Sequence, residues 1–114
     1  MGRPRMMVIG LDCAAPRLVF DRYRDAMPNL SALMENGTWG SLRSSEPPIT
    51  VPAWTCMLSG RDAGELGLYG FRNRVAGETG LRLANSGDVR VKRVWDWLGE
   101  HGYQVAPLFV PLTS

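Results

Sequence analysis

The segment Pro47-Pro48-Ile49-Thr50-Val51-Pro52-Ala53-Trp54-Thr55 marks the place where an extended stretch gives way to a helix. Each of the paired prolines drives the residue before it toward β or polyproline geometry, so the approach is extended. Thr50 then stands where a helix can begin: threonine caps well, and Pro52 is tolerated within the first turn. Ala53 to Leu58 continue the helix, and Ser59-Gly60 stop it. A hydroxyl at Thr50 therefore lies at the positive end of a helix dipole, where an anion such as phosphate is stabilised. The same pattern also describes a plain N-cap.

Upstream, Met6-Met7-Val8-Ile9-Gly10-Leu11 is a short apolar run that ends in Asp12. It predicts a strand buried on both faces, as in a parallel sheet. A carboxylate just after such a strand reaches the carboxyl edge, where open α/β sheets place their ligands, although an Asp in a βα loop is common in its own right. Leu18, Val19, Tyr23 and Met27 follow at helical spacing. A second helix is expected from Pro28, with Leu30, Leu33 and Met34 on one face and Asn36-Gly37 as its stop.

Thr38 to Ser44 alternates and reads as a strand leading into the paired prolines. Gly60 to Gly80 is a glycine-rich loop region with a hairpin across Phe71 to Leu83. Its Gly-x-x-Gly spacings are not a nucleotide loop, because no Gly-Lys-Ser/Thr follows. Val91 to Gly102 predicts a helix with Val94, Trp95 and Leu98 as its apolar stripe. Tyr103 to Val110 predicts a strand, weakened in its middle by Pro107. Strands alternating with helices indicate an α/β fold with a largely parallel sheet. The last strand runs out at Pro111 to Ser114 with no closing element. The expectation is one region, 1–114, cut short after Ser114.

The chain has 114 residues, 45% of them hydrophobic and 21% charged, which is globular composition rather than disorder. A net charge of +2, with the basic residues scattered, argues against a nucleic-acid module. Cys13 and Cys56 form neither a CxxC nor a disulfide framework and read as reduced thiols. The single histidine, His101, falls near a helix end, where it meets terminal carbonyls rather than metal. Arg3 and Arg5 precede an apolar run too short for a signal peptide, and no stretch approaches a membrane span. A cytoplasmic protein is expected.

Asp12 and Thr50 at one sheet edge would set a metal ligand beside an alcohol nucleophile. A divalent cation deprotonates an alcohol as it does water, and a helix N-terminus stabilises the alkoxide. Thr55, the rival hydroxyl, lies inside the predicted helix, where it would bond back to the preceding turn. Arg72 and Arg74 form a solvated hairpin face or approach an anionic substrate.

Three sets of residues carry a resemblance to a known family. They are Val8-Ile9-Gly10-Leu11-Asp12; Met27-Pro28-Asn29-Leu30 with Leu33 and Gly37; and Pro47 to Thr55 with Leu58 and Gly60. In identity and spacing they resemble the type I phosphodiesterase/nucleotide pyrophosphatase family of the alkaline phosphatase superfamily. Val94-Trp95-Asp96-Trp97-Leu98, Gly102 and Val110-Pro111 extend the likeness over essentially the whole chain.

The resemblance implies an alkaline-phosphatase-like α/β fold, with a partly parallel sheet flanked by helices, of which this chain is the N-terminal part. It implies a hydrolase of phosphate esters with two divalent metal ions, zinc or manganese. Asp12 matches the first metal-ligand aspartate, and Thr50 matches the nucleophile, which also binds metal. Cys13 stands where glycine often follows the aspartate, and Leu66 where a histidine often stands. Phe71 occupies the register of a phosphate-binding asparagine, with Asn73 two residues on, so no phosphate-binding residue carries over. The remaining Asp and His ligands fall beyond Ser114 in the family pattern, so the chain alone is expected to be inactive. An uncovered terminal strand is also expected to make it self-associate. The alternative is a non-catalytic α/β binding or interaction module that retains the start of the fold.

Overall fold

The computed structural model describes residues 4–113. The chain divides into two compact units, Met1–Leu42 and Arg43–Ser114.

In the first unit the helical stretch expected after Pro16 forms as two short pieces. Arg17–Arg22 is a wide turn in which the Tyr23 N–H donates to the Leu18 carbonyl at 2.9 Å, and Arg24–Ala26 is a tighter one. Helix α1, Pro28–Asn36, starts with proline in its first turn, where the missing N–H costs nothing. Met34 is its buried residue, and the Ser31 hydroxyl ties it to the Arg24 carbonyl at 2.9 Å. Leu33, expected inward, is 69% exposed. Phe20 and Trp39 pack as a tilted ring pair with centroids 4.9 Å apart, with the Arg24 guanidinium over the Trp39 ring.

The second unit is built around helix α2, Thr50–Ser59, which Gly60 ends in the left-handed conformation while its N–H donates to the Cys56 carbonyl. A one-turn helix α3, Ala63–Leu66, follows. Strands β1, Arg72–Asn73, and β2, Arg82–Leu83, pair antiparallel, with Arg72 opposite Leu83 and Asn73 opposite Arg82. Helix α4, Val94–Glu100, completes the unit. Its first turn is tied down at Arg93, whose backbone N–H donates to the Asp96 carboxylate and whose guanidinium donates to the Leu112 carbonyl at 2.9 Å.

The core of this unit is small. Val51, Leu68 and Val89 are buried together, with Leu66, Ala84, Val91 and Leu112 packed on them. Burying a valine or leucine side chain contributes about 1.5–3 kcal/mol, so this cluster is what holds the start of α2 against the loop after α3 and the segment before α4.

The α/β, alkaline-phosphatase-like expectation of a partly parallel sheet flanked by helices is overturned. Among the described residues the sheet is the two-stranded antiparallel β1–β2 ladder, and the rest of the regular structure is helical. None of the three runs expected as strands, Met6–Leu11, Thr38–Ser44 and Tyr103–Val110, enters a ladder. Ile9 is 74% exposed and Phe109 fully so. The physical reason is that an apolar run supplies only the capacity to be a strand. A parallel strand forms when neighbours on both edges satisfy its N–H and C=O groups and helices cover its faces.

Candidate active site

Thr50 opens α2 as its first helical residue and is half-buried. The N-cap place is taken by Ile49, in extended conformation, and no side chain caps the helix. Thr50 therefore lies one position further into the helix than a capping residue. The ladder of α2 starts with the Ala53 N–H donating to the Ile49 carbonyl at 2.9 Å. Pro52, at the third helical position, brings no N–H and is fully buried. Val51 is 3% exposed and belongs to the core. Packing on both following residues fixes Thr50 at the positive end of the dipole.

Thr55 behaves as the sequence predicts for a hydroxyl inside the helix. It is buried, and its Oγ1 donates to the Val51 carbonyl at 2.7 Å. Cys56 is half-buried on the same helix. Burial pushes its thiol above the ordinary range, and the Asp62 carboxylate pushes it the same way.

Asp12 belongs to the first unit, where it is exposed in a turn with Cys13 rather than at a strand end. Cys13 adopts φ 60, and the Ala15 N–H donates to its carbonyl at 2.9 Å. That left-handed conformation favours glycine and gives a reason for glycine at this place in the family pattern. His101 Nδ1 lies 2.8 Å from the Trp97 carbonyl, in the helix-end role expected of it. Among the described residues no three His, Cys, Asp or Glu side chains gather to hold a metal ion.

Two features of the loop after α2 were missed in the sequence. The signal for α3 is Asp62-Ala63-Gly64-Glu65, a capping box. The Glu65 N–H donates to Asp62 Oδ1 at 2.8 Å, and the Asp62 N–H donates back to the Glu65 carboxylate. The second is Asn73. Its side-chain oxygen accepts from the Tyr69 N–H at 2.7 Å and its amide donates to the Gly70 carbonyl at 2.8 Å. That side chain braces a turn.

A model of the type I phosphodiesterase / nucleotide pyrophosphatase family matches residues 6–114 of the chain. No curated protein and no solved structure matches it. Among the described residues no helix is long and apolar enough to cross a membrane.

Proposed function

Because the chain belongs to the type I phosphodiesterase/nucleotide pyrophosphatase family, we propose that it supplies Thr50 as the nucleophile for phosphate-ester hydrolysis, without completing the catalytic site by itself. The observation that carries this reading is the place of Thr50 at the first position of a ten-residue helix, anchored by buried Val51 and Pro52. The helix end favours the phosphoryl group electrostatically. The threonine oxygen attacks phosphorus and the ester oxygen departs with a proton. Water then releases the phosphate from the threonine.

Asp12 and Thr50 are the residues proposed to ligate metal, as the family resemblance implies. A zinc site takes about four donors. Two are short of one site and further short of the two-ion centre, and no third acidic, thiol or imidazole group joins a cluster among the described residues. The described residues therefore do not fit a pair of zinc or manganese ions.

The reading is tested by titrating the chain with inorganic phosphate and following its amide NMR signals. The signals of Thr50 and Val51 are expected to move, and Thr50→Ala to weaken the response. Shifts that leave both residues untouched would sink the assignment.

A further inference from the structure

Residues 110–113 belong to the second unit and form a turn, in which the Thr113 hydroxyl donates to the Val110 carbonyl at 2.7 Å. Left-handed backbone stands on either side of Val110 and Pro111: Phe109 has φ 54 and Leu112 has φ 58. A residue with a Cβ resists that conformation, which persists only where surrounding contacts impose it. Phe109 is fully exposed, so its own side chain does not supply them. The contacts converge on Leu112. Its side chain packs on the buried cluster of Val51, Leu68 and Val89, and its carbonyl accepts from the Arg93 guanidinium at 2.9 Å.

Arg93 is oriented for that bond by its own surroundings. Its guanidinium lies over the Trp95 ring, 4.9 Å from the centroid, and its Nε stands 3.8 Å from the Asp96 carboxylate. The Arg93 backbone N–H donates to the same carboxylate at the start of α4. The donor is thus arranged by α4 whether or not Leu112 is seated. One part of the fork stays unsatisfied: among the described residues the buried Nε finds no hydrogen-bond partner. A buried donor without a bond weighs against the closed arrangement, as do the two left-handed residues. Packing and one charged hydrogen bond hold the turn down, and the strain favours release. These effects share one motion, because Leu112 leaving the cluster breaks the Arg93 bond and lets Phe109 and Leu112 relax together.

We infer that residues 110–113 are a strap that opens and closes as one piece, with Arg93 as its latch, and that the closed strap holds down the start of α2. The link to α2 is the cluster itself, since Val51 is the second residue of that helix and Leu112 packs on the cluster to which Val51 belongs. Opening the strap loosens the first turn of α2 ahead of the rest of the unit, a local rather than a global unfolding. The inference goes beyond the reading of Thr50 as a nucleophile and does not depend on it, because it concerns the opening of a turn and not a reaction.

The test is amide hydrogen exchange on the full chain. The Ala53 N–H, which donates to the Ile49 carbonyl, reports the start of α2, and the Tyr103 N–H, which donates to the Leu98 carbonyl, reports the end of α4. Arg93→Gln keeps the backbone bond to Asp96 and removes the guanidinium. It is expected to speed exchange at Ala53 about tenfold or more, the effect of losing a hydrogen bond from a charged donor, and to leave Tyr103 at its wild-type rate. The Leu112 methyl signals are expected to move toward those of an exposed leucine. Leu112→Ala, which keeps the carbonyl and removes the packing, is expected to speed Ala53 in the same way should Arg93→Gln misfold. Lys92→Gln breaks the neighbouring ion pair with Glu100 and is expected to leave both rates unchanged. Wild-type exchange at Ala53 in both Arg93→Gln and Leu112→Ala, or Tyr103 speeding as much as Ala53, would overturn the inference.

Discussion

The Thr55 hydroxyl donates to the Val51 carbonyl at 2.7 Å, and both residues are 3% exposed. This contact ties the Thr55 hydroxyl to the preceding turn of α2. Thr55 is spent on its own helix. Val51 also accepts the regular ladder bond of an α-helix, so removing the hydroxyl leaves no orphaned carbonyl. Thr55→Val should change stability by about 1 kcal/mol or less in urea unfolding. It should leave the phosphate response at Thr50 intact, whereas Thr50→Ala should do the reverse.

A second expectation concerns activity. The 114-residue chain, supplied with zinc or manganese, should not turn over bis(p-nitrophenyl) phosphate, because Asp12 and Thr50 alone do not make a metal centre. The assay is release of p-nitrophenolate above the metal-only rate. Robust turnover that disappears in Thr50→Ala would show that fewer donors suffice.

Cys56 reports on the loop beside it. Its thiol is raised first by burial and then by the Asp62 charge. Asp62→Asn keeps a side chain able to cap α3 and removes the charge. The thiol should then titrate lower than in the wild type, though still above its ordinary value because burial remains. The pH dependence of Cys56 alkylation, resolved from that of exposed Cys13 by peptide mass, measures it. An unchanged profile would remove Asp62 as a cause.

Asp88 should make stability fall in acid. The Asn85 N–H, then Arg82, lower its folded pKa beneath its unfolded one. Its contribution is therefore complete above the unfolded value, about 3.9, and is lost as pH falls through the folded value. Asp88→Asn should lower the unfolding midpoint at pH 7, and the gap from wild type should narrow below about pH 4. A gap independent of pH would mean the carboxylate charge contributes nothing.

What could be read from the sequence was what neighbouring residues decide. Helix α1 has its proline start and Gly37 stop, and α2 has Gly60. The apolar stripe of Val94, Trp95 and Leu98 gave α4, and the Phe71–Leu83 hairpin was visible through its glycines. Asp62-x-x-Glu65 carries α3 just as locally, inside a stretch whose glycines signal loop. Threonine's capping tendency points to Thr50 as the helix start, and the helix begins there with Ile49 at the N-cap place. The sheet was not legible for a different reason. Met6–Leu11 and Tyr103–Val110 are apolar enough for strands, but pairing depends on distant segments and periodicity carries no information about them. The candidate site shared that division: Thr50 followed from local signals, while a metal centre needs convergence of side chains far apart in the chain.

The exposed run from Met6 to Leu11 has a consequence in time. Its backbone lies outside any ladder among the described residues, so its amide protons are expected to exchange with solvent at close to open-chain rates. In α2 the amides after Pro52 are bonded along a helix anchored by Val51 and Thr55, and their exchange waits on the opening of that unit. One polypeptide is thus expected to show both fast and slow hydrogen exchange, the slow part beginning just after Thr50.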